Sequence, residues 1–259
     1  MLKDHLATLM MACAALALTS TGARADDAGS ASPFTAQGSA SVLSQFRFRG
    51  LSRSDGQPAV QGDLSVNHAS GVYGGVMLSS EQPGAAVDLG HGELDLYAGY
   101  DHALGSSGLM LDLGLRGYFH AGRAGADLVE LSAALDRQIG PIDLRAGLAY
   151  APPQAHLGHE SATGALRDNT YVFAESRADI PGTPLHLHGH VGHTAGGLDY
   201  TGAYWDYRLG VGASHKAFGI DLSLVGTNVS HAAAAMTPDP LATWRAARSA
   251  GVIGLTCQF

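Results

Sequence analysis

Apolar residues recur at every second position over most of this chain, the 180° period of a strand whose two faces meet different surroundings. Between Gly108 and His120, the positions Leu109, Leu111, Leu113, Leu115 and Phe119 point one way, while Asp112, Gly114, Arg116, Tyr118 and His120 point the other. In 92–102 the apolar Leu94, Leu96 and Ala98 alternate with Glu93, Asp95 and Tyr97. The pattern predicts twelve such segments, near 39–49, 59–68, 71–80, 92–102, 108–120, 127–138, 141–151, 170–179, 185–194, 202–216, 218–228 and 248–259. Most are close to the ~9–11 residues that a tilted strand needs to cross a bilayer.

Short turns, such as Gly140-Pro141, alternate with longer connections at 50–58, 81–91, 121–126, 152–169, 195–201 and 229–247. An even number of strands, with both ends of the chain on the short-turn side, predicts an all-β fold. The fold expected is a transmembrane antiparallel barrel with short periplasmic turns and longer extracellular loops. Closure is a physical requirement, because an open sheet edge in hydrocarbon would leave backbone groups unpaired. The Ala-rich stretch 229–247 reads as the most mobile or partly helical loop.

The first 25 residues read as a cleaved secretory signal peptide: Lys3, an apolar run from Leu6 to Leu18, and the small-x-small triplet Ala23-Arg24-Ala25. The barrel domain is then 26–259, exported to the cell outer membrane. Removing Lys3, Asp4 and Arg24 takes the formal charge from −8 to −9, an unfavourable balance for binding nucleic acid. Cys13 leaves with the signal, so the remaining Cys257 has no partner for an internal disulfide and reads as a small lipid-facing hydrophobe. Glycine at 35 of 259 residues and charged residues at only 15% suit an outer surface that does not face water. The last strand ends on Phe259, the mark by which outer-membrane barrels are handed to their assembly machinery.

A lipid-facing arginine at the bilayer midplane would cost about 2–4 kcal/mol, so charged positions are assigned to the lumen. With Phe46 and Phe48 toward lipid, Arg47 and Arg49 face inward from the first strand and are the candidate constriction, with Glu93, Asp95 and Asp112 opposite. Their expected partners lie on neighbouring strands, such as Asp63 on the next strand or Gln258 and its neighbours across the closure. Arg116, Asp143, Arg145, Asp206 and Arg208 complete the candidate pore lining, and Glu130 falls on an inward position too.

The runs "FRFRGLSRSDGQPAVQGDLSVNHASGVYGGVMLSS" and "GELDLYAGYDH" resemble the TorF-type porins of proteobacterial outer membranes. The match is densest over 44–102, through Phe-Arg-Gly-x-Ser, Pro-Ala-x-Gln-Gly, Gly-x-Tyr-x-Gly and Glu-x-Asp-x-Tyr-x-Gly-Tyr. It departs at Met77, where a tryptophan is expected. The resemblance implies a barrel and a pore, with no substrate and no catalytic residues to carry over.

His186, His188 and His190 share one strand face and could converge on a metal, with His215 or His120 as a further ligand. A barrel lumen needs polar residues of little charge, which is the plainer reading of the three histidines and the one adopted, with no metal expected. No Ser-His-acid signature, phosphate loop or heme motif is present, so neither enzyme activity nor a cofactor is expected. Tyr73, Tyr97, Tyr100, Tyr150, Tyr171, Trp205 and Tyr207 are candidates for interfacial girdles. The function expected is passive diffusion of small hydrophilic solutes through the lumen. The alternative is a plugged structural or surface-interaction barrel, and twelve strands lie between side-chain-filled and water-filled bores. A soluble periplasmic sandwich is the third reading.

Overall fold

The strands form where the sequence alternates, and they run long because both faces of each are satisfied, one by apolar surroundings and the other by the charged interior. In the computed structural model, which describes residues 32–82, 90–199 and 201–259, the wall opens with β1 (Phe34–Leu43). Next come β4 (Ala59–His68), β5 (Val72–Ser80), β6 (Gly92–Ala103) and β7 (Leu109–Ala121). The wall continues through β8 (Leu128–Ile139), β9 (Ile142–Ala151), β10 (Asn169–Asp179) and β11 (Leu185–Gly196). It ends with β12 (Tyr204–His215), β13 (Phe218–Thr227) and β14 (Ala250–Gln258). The expected signal peptide lies outside the described residues.

Each wall strand pairs antiparallel with its neighbours, and β1 bonds to both β4 and β14, closing a twelve-stranded barrel. At the closing seam Ser39 faces Gln258 and Leu43 faces Gly254, and Gly38 and Phe259 exchange both backbone hydrogen bonds at 2.9 Å. The short and long connections alternate as the sequence predicts. The outward positions form an apolar belt: Leu209, Leu222 and Ile253 are 67%, 55% and 51% exposed. A continuous band of this kind has no place in water and belongs against lipid acyl chains. Among the described residues no helix is long and apolar enough to cross a membrane; the crossing is made by strands.

Two expectations need correction. The first wall strand spans Phe34–Leu43 rather than 39–49, because the chain leaves the wall at Ser44. Ser44 is tied there by its own N–H to the Ile253 carbonyl (2.8 Å) and by its hydroxyl to the Ile253 N–H (2.9 Å). The next residues turn into the lumen as a small hairpin, β2 (Arg47–Phe48) and β3 (Leu51–Ser52). Phe46 and Phe48 therefore do not face lipid. Phe46 is buried, and the Phe48 ring packs edge-on against Tyr118 at 5.6 Å inside the barrel.

The long 228–249 connection folds into α1 (His231–Ala234) and α2 (Pro240–Ala247), each capped by a side-chain oxygen, from Ser230 and Asp239. The small face of α2, with Ala242, Ala246 and Ala247, is buried over the barrel mouth. Cys257 lies on the outward face, as expected, and is buried there beside Ala40 and Phe218 in the strand register.

Candidate functional site: a lumen closed at one end

Residues 44–58 are held in the lumen by their turn and by a buried ion pair. Arg49 and Gly50 connect β2 to β3 with positive φ at both positions, 47° and 77°, the geometry of a two-residue hairpin turn that follows strand twist. Gly50 is required twice over, because a Cβ there would also lie 2.6 Å from the Gly226 carbonyl oxygen on the wall. The turn drives Arg49 across the bore to Glu130 on β8, where one guanidinium nitrogen reaches both carboxylate oxygens at 2.7 and 2.8 Å.

Both side chains are almost fully enclosed, and the Arg49 guanidinium lies over the Tyr171 and Phe48 rings at 4.1 and 4.8 Å. The Tyr118 hydroxyl donates to the same carboxylate at 3.1 Å. Arg47 donates to neutral acceptors instead: Gln45 Oε1 (3.0 Å) and the carbonyls of Gly50 (2.6 Å) and Ala246 (3.3 Å). Burial, with Arg248 nearby, pushes its pKa down to about 10.

Around this hairpin the long-loop half of the barrel is packed. Leu51 is buried with Tyr204, Val229 and Ala247. On the other side Phe48 packs on Tyr118, Leu128, Ala151, Leu157 and Leu198. Every wall strand from β4 to β14 contributes a buried inward residue, among them Ala59, Ser79, Glu130, Asn169, Thr194 and Thr227. His156, in the 152–168 loop, is held neutral, its pKa pushed down to about 4 by burial and by Arg53 and His120 beside it.

The short-turn half is hollow, with a cavity of about 850 Å³ that runs from Phe46, Arg47 and Arg49 to Gly108, Gln138 and Asp143 near the short turns. Its wall is charged and internally paired. Arg145 binds Asp112 and Asp136, and Asp221 takes Arg208 at 2.6 Å and His188 at 2.5 Å. His190 sits between Glu175 (3.0 Å), Asp206 (3.1 Å) and the Tyr171 hydroxyl (2.7 Å). Asp143 lines the cavity and faces Arg177 in the β9–β10 register.

Of the candidate lining, Arg47, Arg49, Asp143, Arg145, Asp206 and Arg208 border the cavity, whereas Asp63, Glu93, Asp95, Asp112 and Arg116 do not, and the partners differ from those expected. The partner of Arg49 is Glu130, neither Asp63 nor the set Glu93, Asp95 and Asp112. Asp63 accepts from the Tyr97 hydroxyl (2.8 Å), Asp95 from Arg116 (3.1 Å), and Glu93 meets His120 (3.0 Å). The reason is geometric: a hairpin inside the bore reaches acids on the far wall that a wall strand could not. Tyr73, Tyr97 and Tyr171 also point inward to acids rather than into a girdle. Trp205 and Tyr100 are exposed on the outer face.

His186, His188 and His190 do not converge. His190 has both ring nitrogens on carboxylates, and the His186 and His188 rings lie over Gly212 and Gly210 of β12, where a Cβ would be 2.3 and 2.5 Å away. Two features are not legible in the alternation: Glu81 and the pairing of Arg49 with Glu130. Gly50 directly after Arg49 was the available signal, since Gly at that place in an alternating run marks a tight turn.

A profile of a family described as "Bacterial protein of unknown function (Gcw_chp)" matches residues 27–247. No curated protein matches the chain in sequence. Among solved structures, a protein from a study of in-meso crystallization of membrane proteins is 10% identical, with a TM-score of 0.52 over 86% of this chain and 83% of that one. A porin (11% identical, TM-score 0.41, 87% and 100% covered) and LpxR from Salmonella typhimurium (9%, 0.44, 86% and 99%) are similar over most of their length. At such identities the likeness extends to the fold alone.

Proposed function

Because the chain belongs to the Gcw_chp family of bacterial proteins, whose function is unknown, we propose from its geometry that it is an outer-membrane barrel plugged by its own residues 44–58. In this conformation its lumen opens to the periplasmic, short-turn side and is shut to the exterior. The observation that carries this reading is the enclosed Arg49–Glu130 pair, which anchors the hairpin across the bore in the packed half. The apolar belt and strand lengths support the membrane location, and the resemblance of 44–102 to TorF-type porins supports the outer membrane.

A passive pore for small hydrophilic solutes is the second reading, favoured by the charged cavity of about 850 Å³. It requires the hairpin to withdraw. Planar-bilayer conductance separates the two, using protein purified from membranes and a variant in which 45–57 is replaced by a short Gly-Ser linker. The plugged reading expects a silent native protein and discrete current steps from the linker variant. Steps from the native protein would overturn it in favour of the pore. Silence from a linker variant that keeps heat-modifiable gel mobility would show that the hairpin is not what closes the bore.

A further inference from the structure

We infer that Glu81, Glu93 and His120 form a binding site for one divalent transition-metal cation, with Zn²⁺ the ion that suits the donor set. Three adjacent strands bring these residues together at their long-loop ends. Glu93 and His120 face each other across the β6–β7 register. Glu81 follows the last residue of β5 directly, with its N–H on the His91 carbonyl at 3.1 Å.

All three side chains are buried, and one donor atom from each lies within 4.8 Å of the other two. A shift of less than about 1 Å per donor brings such a triangle to the ~2.1 Å of Zn–N and Zn–O bonds. Imidazole and carboxylate are both zinc donors, three such ligands leave a fourth position for water, and the nitrogen donor argues against the all-oxygen sites of Ca²⁺ and Mg²⁺.

The electrostatics of the pocket point the same way. Neighbouring carboxylates in a low-dielectric interior repel, and a cation between them converts that repulsion into attraction. Asp95, next inward residue on β6 after Glu93, is enclosed as well. Arg116 holds its Oδ2 at 3.1 Å, while Oδ1 is buried without a hydrogen-bond partner. His120 spends Nε2 on Glu93 at 3.0 Å, and its Nδ1 is also buried and unsatisfied. Buried polar atoms are nearly always partnered, so the open Nδ1 of His120 and Oδ1 of Asp95 leave unmet hydrogen-bonding positions on a member of the triad and on its neighbour along β6. On the His-rich face of β11, His188 and His190 already meet Asp221, Glu175 and Asp206, and His186, whose Nδ1 is also buried without a partner, belongs to no three-donor group among the described residues.

The test is a Zn²⁺ titration by calorimetry of protein purified from membranes in detergent and stripped with chelator. It is repeated on Glu81→Gln, His120→Gln and the triple variant His186→Gln, His188→Gln, His190→Gln, each first shown to be folded by heat-modifiable gel mobility. One equivalent of zinc bound in the micromolar range by the native protein is expected. Either single substitution should weaken it at least about tenfold, and the triple variant should leave it unchanged. A native protein that binds nothing tighter than millimolar, or zinc lost from the triple variant and kept by His120→Gln, overturns the assignment. Should His120→Gln fail to fold, Glu81→Gln at the loop base decides by the same criterion.

Discussion

Arg49 shows how one side chain can be both the most costly and the most specifying residue of a lumen. Its guanidinium is withdrawn from water and matched by Glu130, Tyr118 and two aromatic rings. A buried pair of this kind adds little net stability, but removing one partner strands the other charge, at a cost of about 3–5 kcal/mol. Arg49→Met should therefore lower the midpoint of heat-modifiable unfolding sharply, and Arg49→Met combined with Glu130→Met should recover most of the loss. If the double variant is as unstable as the single one, the pair is not the anchor. The inward direction of Arg49 was legible in the alternation of 39–49. Its partner was not, because alternation reports a face and says nothing about how far from the wall the backbone runs.

At the scale of elements, the hairpin 44–58 mimics a wall strand in sequence because any β-ribbon has the same period of two. Phe46, Arg47, Phe48 and Arg49 alternate as well in a ribbon inside the bore as they would in the wall. Only Gly50 and the polar run Ser52 to Gly56 distinguish them. Replacing Gly50 by alanine would set a Cβ against Gly226, Thr227 and Asp206 at 2.6–2.8 Å, on a backbone at φ 77°. Gly56→Ala, at φ 74° with nothing within 4 Å, meets only the backbone term of about 1–2 kcal/mol. Gly50→Ala should thus lower the unfolding midpoint more than Gly56→Ala and give bilayer current, while Gly56→Ala stays silent. Equal effects from the two would mean that the turn does not fit against the wall as described.

For the whole molecule, the barrel was legible almost entirely, down to the alternation of short and long connections. Two unlike solvents impose a pattern that every wall strand must obey. Leu222, 55% exposed on the outer belt, should lose about 2–4 kcal/mol of stability on Leu222→Arg in lipid. The same change at Gln138, which lines the cavity, should be tolerated. Urea titrations of the two variants in lipid vesicles check the difference, and a similar loss at both positions would argue against a lipid-facing belt.

The seam that closes the ring has a consequence for assembly. It joins β1 to β14, elements from opposite ends of the chain, through the register from Ser39↔Gln258 to Leu43↔Gly254, and the hairpin begins at the very next residue. Contacts so distant in sequence form late. On the plugged reading, sealing the wall and seating the hairpin are neighbouring steps of assembly, because the strand that closes the ring runs straight into the residues that fill it.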